Sequence, residues 1–316
     1  MSTESFLHPL ILVAFYLPLQ INFSVMSHKS GFVNIVGSPN VGKSTLMNRL
    51  VGEKLSIVTS KAQTTRHRIL GIVNDENYQI VFSDTPGVVN AAYKLHEAMM
   101  DYVNASLKDA DVLIFITDTK ENDMNHKETL EKIQKLRVPV ICLINKIDLS
   151  DQAKVFERIQ FWQEKLPNAL VYPVSALHDF NVQAVWEKIL ELVPESPAYF
   201  DEEELSDRPM RFFVSEIIRE KIFLHCDKEV PYSCQVEIEE YKDEINLTRI
   251  RAVIIVERDS QKGIVIGKGG EMLKKIGREA RIEIEKFIDH RVFMETFVKV
   301  DKDWRSTENK LKKYGY

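Results

Sequence analysis

From residue 32 the chain alternates short apolar runs with longer stretches of helical period. The runs at Phe32–Val36, Arg68–Val73, Gln79–Phe82, Val112–Thr117, Val138–Ile144 and Leu170–Val174 are mostly continuous in apolar residues, the pattern of strands covered on both faces. Thr45–Val51, Leu95–Lys108, Lys127–Leu136, Val155–Leu166 and Val182–Val193 carry apolar residues at helical spacing. This alternation predicts a doubly wound α/β sheet, which binds ligands at the carboxyl ends of its strands. After residue 207 the order changes. A helix over Met210–Leu224, two alternating strands at Gln235–Tyr241 and Ile250–Val256, a long helix over Glu271–Ile288 and a strand at Phe293–Val300 predict a second, α+β unit. Between the units, Val193–Phe200 carries two prolines and runs into the acidic block Asp201–Glu204, the signature of an exposed linker. The expected division is an extension over 1–30, a first domain over 31–195, a linker over 196–206 and a second domain over 207–316.

The candidate chemistry falls at predicted strand ends. Gly37-Ser38-Pro39-Asn40-Val41-Gly42-Lys43-Ser44 lies between a strand and the helix that opens at Thr45. This is the context a G-x-x-x-x-G-K-S phosphate loop requires. Its glycines permit a tight turn, its N–H groups and the helix end face phosphate oxygens, Lys43 reaches the β- and γ-phosphates, and the Ser44 hydroxyl binds Mg²⁺. Asp84-Thr85-Pro86-Gly87 follows the third strand. Asp84 is expected to hold Mg²⁺ through water, and the Gly87 N–H to meet the γ-phosphate. Asn145-Lys146-Ile147-Asp148 follows the fifth strand. The Asp148 carboxylate there matches the N1–H and N2–H₂ donors of guanine, which adenine lacks, and this argues against a plain ATPase. Lys146 covers the base and Asn145 braces the loops. Ser175-Ala176-Leu177 follows the last strand, with the Ala176 N–H expected at the guanine oxygen. In Ser60–Arg66, Thr65 rather than Thr64 is the expected Mg²⁺ and γ-phosphate sensor. Lys43, Thr65, Gly87 and Asn40 are the expected catalytic groups.

Composition adds three points. The chain has 316 residues and a net charge of −5, so it is not a basic nucleic-acid binder as a whole. Residues 206–316, however, hold 23 Lys and Arg against 21 Asp and Glu, a net of +2, which leaves −7 on the rest. Within that region Lys262, Lys268, Lys274, Lys275, Arg278 and Arg281 surround the turn Gly267-Lys268-Gly269-Gly270 that follows Ile266. Cys142, Cys226 and Cys234 have no ligand spacing and read as reduced thiols in a cytoplasmic protein. The apolar run Pro9–Leu19 is too short to span a bilayer, and no Lys or Arg precedes Lys29. The first 25 residues therefore read as a dispensable extension with a natural start at Met26. The alternative is a membrane-associated regulatory GTPase anchored by that apolar segment.

The four loops of the first domain together resemble the translation-factor-related class of GTPases. Val88 stands where Ras-type enzymes carry the glutamine that orients the attacking water, so the match is to members with a hydrophobic residue there, and slow intrinsic hydrolysis is implied. In such members with this phosphate loop, the asparagine at the Asn40 position can hold K⁺. The Gly267–Gly270 turn resembles the G-x-x-G loop of KH domains, which lies flat on an RNA backbone. The flanking order is that of a type II KH domain, with Ile266, Gly267, Lys268, Gly269, Gly270, Lys274, Lys275 and Arg278 as the implied RNA contacts. A GTPase followed by a type II KH domain resembles the Era family, over Gly31 to the C-terminus. The resemblance implies GTP/GDP and Mg²⁺ as ligands, and a monomer that binds the 3′ end of small-subunit ribosomal RNA and assists small ribosomal subunit assembly. It further implies a cytoplasmic location, with peripheral association at the inner face of the cell membrane in some members.

Overall fold

The computed structural model describes residues 28–121 and 127–316. The Pro9–Leu19 run and the start expected at Met26 lie outside the described residues. Among those described, no helix is long and apolar enough to cross a membrane.

The first unit runs β1 (Lys29–Val36), α1 (Lys43–Val51), β2 (Ile69–Asp75), β3 (Tyr78–Asp84), α2 (Lys94–Lys108), β4 (Val112–Asp118), α3 (Lys127–Gln134), β5 (Val140–Asn145), α4 (Gln152–Lys165), β6 (Leu170–Pro173) and α5 (Val182–Leu192). Six strands form one sheet in the order β2-β3-β1-β4-β5-β6. Val33, Ile35 and Val112–Ile116 in its centre are fully buried. Leu46, Met47, Val185 and Ile189 pack on one face, from α1 and α5. Val103, Leu107, Ile133 and Trp162 pack on the other, from α2, α3 and α4. All pairings are parallel except that of β2 with β3. The reversal matters for function. Ile69 at the start of β2 faces Asp84 at the end of β3, so the segment before β2 opens at the same sheet edge as the carboxyl ends of its neighbours.

Two boundaries differ from expectation for identifiable reasons. β1 begins at Lys29, because the Lys29 ammonium donates to the carbonyls of Leu190 (2.7 Å) and Glu191 (3.0 Å) at the end of α5, where cations are favoured. The 196–206 linker is exposed for most of its length but is tied to the sheet edge. The buried Gln79 amide accepts from Tyr199 N and Phe200 N and donates to Phe200 O, and Ile72 N donates to Leu205 O at 2.9 Å. A strand edge that would otherwise present free N–H groups is thereby covered.

The second unit runs α6 (Met210–His225), α7 (Val230–Ser233), β7 (Gln235–Glu244), β8 (Leu247–Val256), α8 (Asp259–Ile266), α9 (Glu271–Ile288), β9 (Val292–Val300) and α10 (Glu308–Lys313). β8 is central, antiparallel to β7 and parallel to β9. Val214, Ile218, Ile222, Val265, Ile276, Ala280 and Ile284 of α6, α8 and α9 pack on one face. On the other face Val253 and Ile255 join Trp304, Leu311 and Tyr314, and with them Leu95 and Met99 of α2. The two units thus share a small apolar core. Between Phe213 and Phe223, α6 is buried on almost every side, including Glu216, Arg219, Glu220 and Lys221, because it lies between its own sheet and the first unit.

Candidate nucleotide site and nucleic-acid interface

The Gly37–Ser44 loop turns from β1 into α1 under tight constraints. A Cβ at Gly37 would stand 2.1 Å from Ile116 O, and one at Gly42 would stand 2.2 Å from Asn145 Nδ2. Gly42 also has φ of 104°, which glycine alone adopts cheaply. Val41 anchors the loop in the core, at 3% exposure, and Pro39 packs against Gly87, where a Cβ would fall 2.7 Å from the proline. Lys43 is buried, and its ammonium donates to Ser38 O (2.8 Å) and Gly37 O (3.2 Å). Burial lowers its pKa to about 8, against the pull of Asp84 and Glu121. A phosphate anion in the loop would restore the charged form.

Three oxygen-bearing side chains converge next to it. Ser44 Oγ lies 2.8 Å from Thr65 Oγ1 and 2.7 Å from Asp84 Oδ2, and Thr65 Oγ1 lies 3.3 Å from the same carboxylate oxygen. Asp84 Oδ1 is buried with no hydrogen-bond partner. Burial raises the Asp84 pKa, opposed by Ser44, Lys43, Ser56 and Thr65. A buried carboxylate oxygen without a partner beside two hydroxyls is a donor set suited to a hard divalent cation. Thr64, by contrast, turns its hydroxyl to Lys61 O (2.7 Å) and Thr59 (2.7 Å). Thr85 donates to Ile35 O at 2.7 Å, which fixes the turn through Pro86 to Gly87. Val88 points away from the site into the core under α2, and its N–H donates to Gly37 O. Asn40, at φ of 63°, donates to Ser60 O at 2.9 Å.

A cleft of about 480 Å³ joins this cluster to the fifth and sixth strand ends, lined by Lys43, Ser44, Thr45, Thr65, Asn145 and Asp148 among others. Ser175 Oγ donates to Asp148 Oδ1 at 2.6 Å. Lys146 donates to Asn40 O and, at 3.1 Å, to Asp118 Oδ2. Asn145 joins two loops: its Nδ2 donates to Val41 O (2.8 Å), and its Oδ1 accepts from Ala176 N (3.0 Å). The Ala176 N–H expected at a purine oxygen is thus donated to Asn145 instead. The buried Asn145 amide must satisfy both its ends. Leu177 lines the cleft at 66% exposure, and Leu149 faces it at 60%.

The Gly267–Gly270 turn lies between α8 and α9. Gly267, Gly269 and Gly270 have φ of 73°, 62° and 80°. A Cβ at Gly267 would stand 2.6 Å from Met272 Cβ, whereas nothing lies within 4 Å of one at Gly269 or Gly270. Backbone conformation, not crowding, therefore calls for glycine at the last two, and no side chain covers the outside of the turn at either. Lys268, Lys274, Lys275 and Arg278 are exposed around it. None is paired within 4 Å with a described carboxylate, unlike Arg281, which pairs with Glu285 at 2.8 Å. Ile266 is half-buried at the end of α8.

Residues 32–146 match the family described as "50S ribosome-binding GTPase", and residues 229–305 match the KH domain. GTPase Era of Geotalea daltonii is 46% identical over 289 residues, which cover 91% of this chain and 97% of that protein. The chain belongs to the Era family of GTPases. A crystal structure of Era in complex with MgGDPNP and nucleotides 1506–1542 of 16S ribosomal RNA superposes with a TM-score of 0.88 at 39% identity, covering 92% of this chain and 99% of that one. A variant of Aquifex aeolicus Era bound to GDP·AlF4⁻ superposes at 0.87 with 40% identity, covering 91% and 99%.

In this Era-family GTPase several contacts escape the sequence reading. Glu121 accepts from Ser38 of the phosphate loop and from Thr117, and Asp118 anchors Lys146. Asp118 ends β4 and Glu121 follows it, where no motif draws attention to them. The segment before β2 is held by the second unit. Val58 N donates to Glu220 (3.1 Å), Lys61 to Cys226 O (2.5 Å), and Arg66 to the carbonyls of Cys234 (2.7 Å), Pro231 (3.0 Å) and Tyr232 (3.0 Å). The fully buried Arg219 donates to Thr64 O at 2.5 Å and pairs with Glu216. In the sequence Lys61 and Arg66 are visible as charges, with no sign of their partners.

Because the Asn145 side chain ties the phosphate loop to the Ser175–Leu177 loop, Asn145→Ala should release both. Guanine-nucleotide affinity is expected to fall by about a hundredfold, as for loss of two buried hydrogen bonds, with thermal stability lowered far less than in a core variant. Unchanged affinity by fluorescent-nucleotide titration would contradict this bridge.

Proposed function

We propose that this GTPase binds the 3′ end of small-subunit ribosomal RNA through the α8–α9 turn, in a manner set by bound nucleotide, and acts in small ribosomal subunit assembly in the cytoplasm as a monomer. The similarity to an Era bound to such RNA and the exposed, unpaired cations around a glycine turn support the RNA reading. Ile266, Gly267, Lys268, Gly269 and Gly270 would meet the backbone and bases, and Lys274, Lys275 and Arg278 the phosphates.

At the nucleotide site, the N–H groups of Gly37–Thr45 other than Pro39, which has none, and the Lys43 ammonium hold the phosphates. Asp148, aligned by Ser175, accepts from guanine, and Lys146 and Leu177 flank the base. Ser44, Thr65 and Asp84 would hold Mg²⁺, directly or through water, and the orphaned Asp84 Oδ1 is the observation that suits them to it. The ion supplies charge neutralisation at the β- and γ-phosphates. With Val88 turned into the core, water is positioned by backbone groups of the Thr65 and Gly87 segments, so intrinsic hydrolysis is slow. Asn40 would hold K⁺ through its side-chain oxygen, which stays available because its Nδ2 is the atom that donates to Ser60 O.

A single observation carries the nucleotide dependence. Thr65 faces Ser44 and Asp84, while the residues on either side of it are bonded to the second unit. Affinity of the full chain for a short RNA matching the small-subunit 3′ end should therefore be about tenfold tighter with a non-hydrolysable GTP analogue than with GDP. Gly269→Asp should remove RNA binding and spare GTP binding. Equal affinity in both states would contradict the coupling, and no binding in either would contradict the RNA reading. Separately, hydrolysis should be faster in K⁺ than in Na⁺ buffer, and equal rates would remove the role given to Asn40.

A further inference from the structure

Helix α6 buries four charged side chains, Glu216, Arg219, Glu220 and Lys221, each at most 7% exposed. Apolar residues at such positions are often as stabilising or more so. Lys221 is paired inside the second unit, with Glu220 and with Glu283 of α9, but Glu220 and Arg219 also reach out of it. Glu220 accepts from Val58 N and Lys54. Arg219 uses Nε and Nη2 on the Glu216 carboxylate and also donates from Nη2 to Thr64 O at 2.5 Å.

The Thr64 carbonyl belongs to the peptide unit whose nitrogen is that of Thr65. A peptide unit is planar and stiff, so a bond to that oxygen orients the backbone on which Thr65 is carried. On the other side, Arg66 is 2% exposed and held by three carbonyls of the KH domain. The Thr65 side chain therefore faces Ser44 and Asp84 from a backbone gripped before and after it by the second domain. Of these gripping groups, Arg219 is the one that is both charged and delivered by a side chain to the peptide adjoining Thr65. Its own orientation is set by a two-point pairing with Glu216 in the same helix, one turn away.

We propose that Arg219, held by Glu216, is a positioning residue for GTP hydrolysis, acting across the domain boundary through the Thr64 carbonyl to place Thr65. It touches neither nucleotide nor metal. The GTPase centre is complete only when α6 is docked, so KH-domain placement and hydrolysis share one hydrogen bond. This inference rests on the reading of Thr65 as a Mg²⁺ and γ-phosphate ligand.

The test compares full-length wild type, R219Q, R219K, the double variant E216Q/R219Q and T65A. Steady-state GTP hydrolysis is measured against Mg²⁺ concentration, with GDP affinity and thermal unfolding alongside. The double variant carries the test, because it leaves no uncompensated buried charge and the shorter glutamine side chain does not reach Thr64 O. It should raise the Mg²⁺ concentration for half-maximal hydrolysis and lower kcat, each by about tenfold, as for loss of a charge-assisted hydrogen bond. GDP affinity should not change, since GDP has no γ-phosphate for Thr65 to sense. R219K, which keeps a cation near Thr64 O, should recover part of the loss. A purely structural lesion would instead lower GDP affinity and leave the Mg²⁺ midpoint in place, and that result overturns the proposal. So does wild-type behaviour of the double variant when T65A shifts the midpoint. If T65A itself leaves the midpoint unmoved, the reading of Thr65 fails first.

Discussion

The segment from Val58 to His67 is bonded on two sides, and most of the molecule's organisation follows from that. Toward the first domain, the Thr65 hydroxyl meets Ser44 and Asp84. Toward the second, Val58, Lys61, Thr64 and Arg66 are bonded to α6, α7 and the turn between them. His67, next in line, stacks on Tyr316 with ring centroids 4.3 Å apart, and burial lowers its pKa to about 3, so the ring is neutral. A loop held only by its own domain could close on a nucleotide without consequence elsewhere. This one cannot move without breaking buried contacts to the KH domain, and buried polar groups left unpaired are costly, at about 1–3 kcal/mol each.

The same logic accounts for the charges on α6. Burial alone would raise the Glu216 carboxyl, but the Arg219 guanidinium beside it holds it below the usual carboxylate range. Lys221 and Lys54 share the Glu220 and Glu283 carboxylates. Glu283 lies on α9, the helix that begins at the glycine turn. α9 thus has two faces with different work. Its Glu279 and Glu283 grip α6 and the first domain, while its Lys274, Lys275 and Arg278 stay free for an anion. The small shared core of Leu95, Met99, Val253, Ile255, Trp304 and Leu311 adds an apolar contact on the opposite side, against α2.

How much of this is legible in the sequence depends on distance along the chain. Gly37–Ser44 and Asp84–Gly87 each carry their chemistry within one turn, and a strand before each places it at a sheet edge, so spacing alone exposes them. The preference for Thr65 over Thr64 matches where the hydroxyls lie. The antiparallel run of β2, which brings Thr65 to that edge, has no local signature, since a seven-residue strand reads alike in either direction. Asp118 and Glu121 stay hidden because a carboxylate at or just beyond a strand end looks like any polar turn residue. The Ala176 N–H reads as a contact to the base because the need of Asn145 for a donor is visible only in three dimensions. The helix over Met210–Leu224 is legible, but nothing in residues 210–224 states that the first domain covers Glu216 and Arg219.

Nucleotide-dependent order in residues 58–67 is expected to reach the KH domain through these bonds. Amide hydrogen exchange of the full chain, with GDP and with a non-hydrolysable GTP analogue, tests it most directly. With the analogue, amides of Val58–His67 and those of α6 and α7 should gain protection together. Protection confined to Val58–His67, with α6 and α7 exchanging as they do with GDP, would contradict the account.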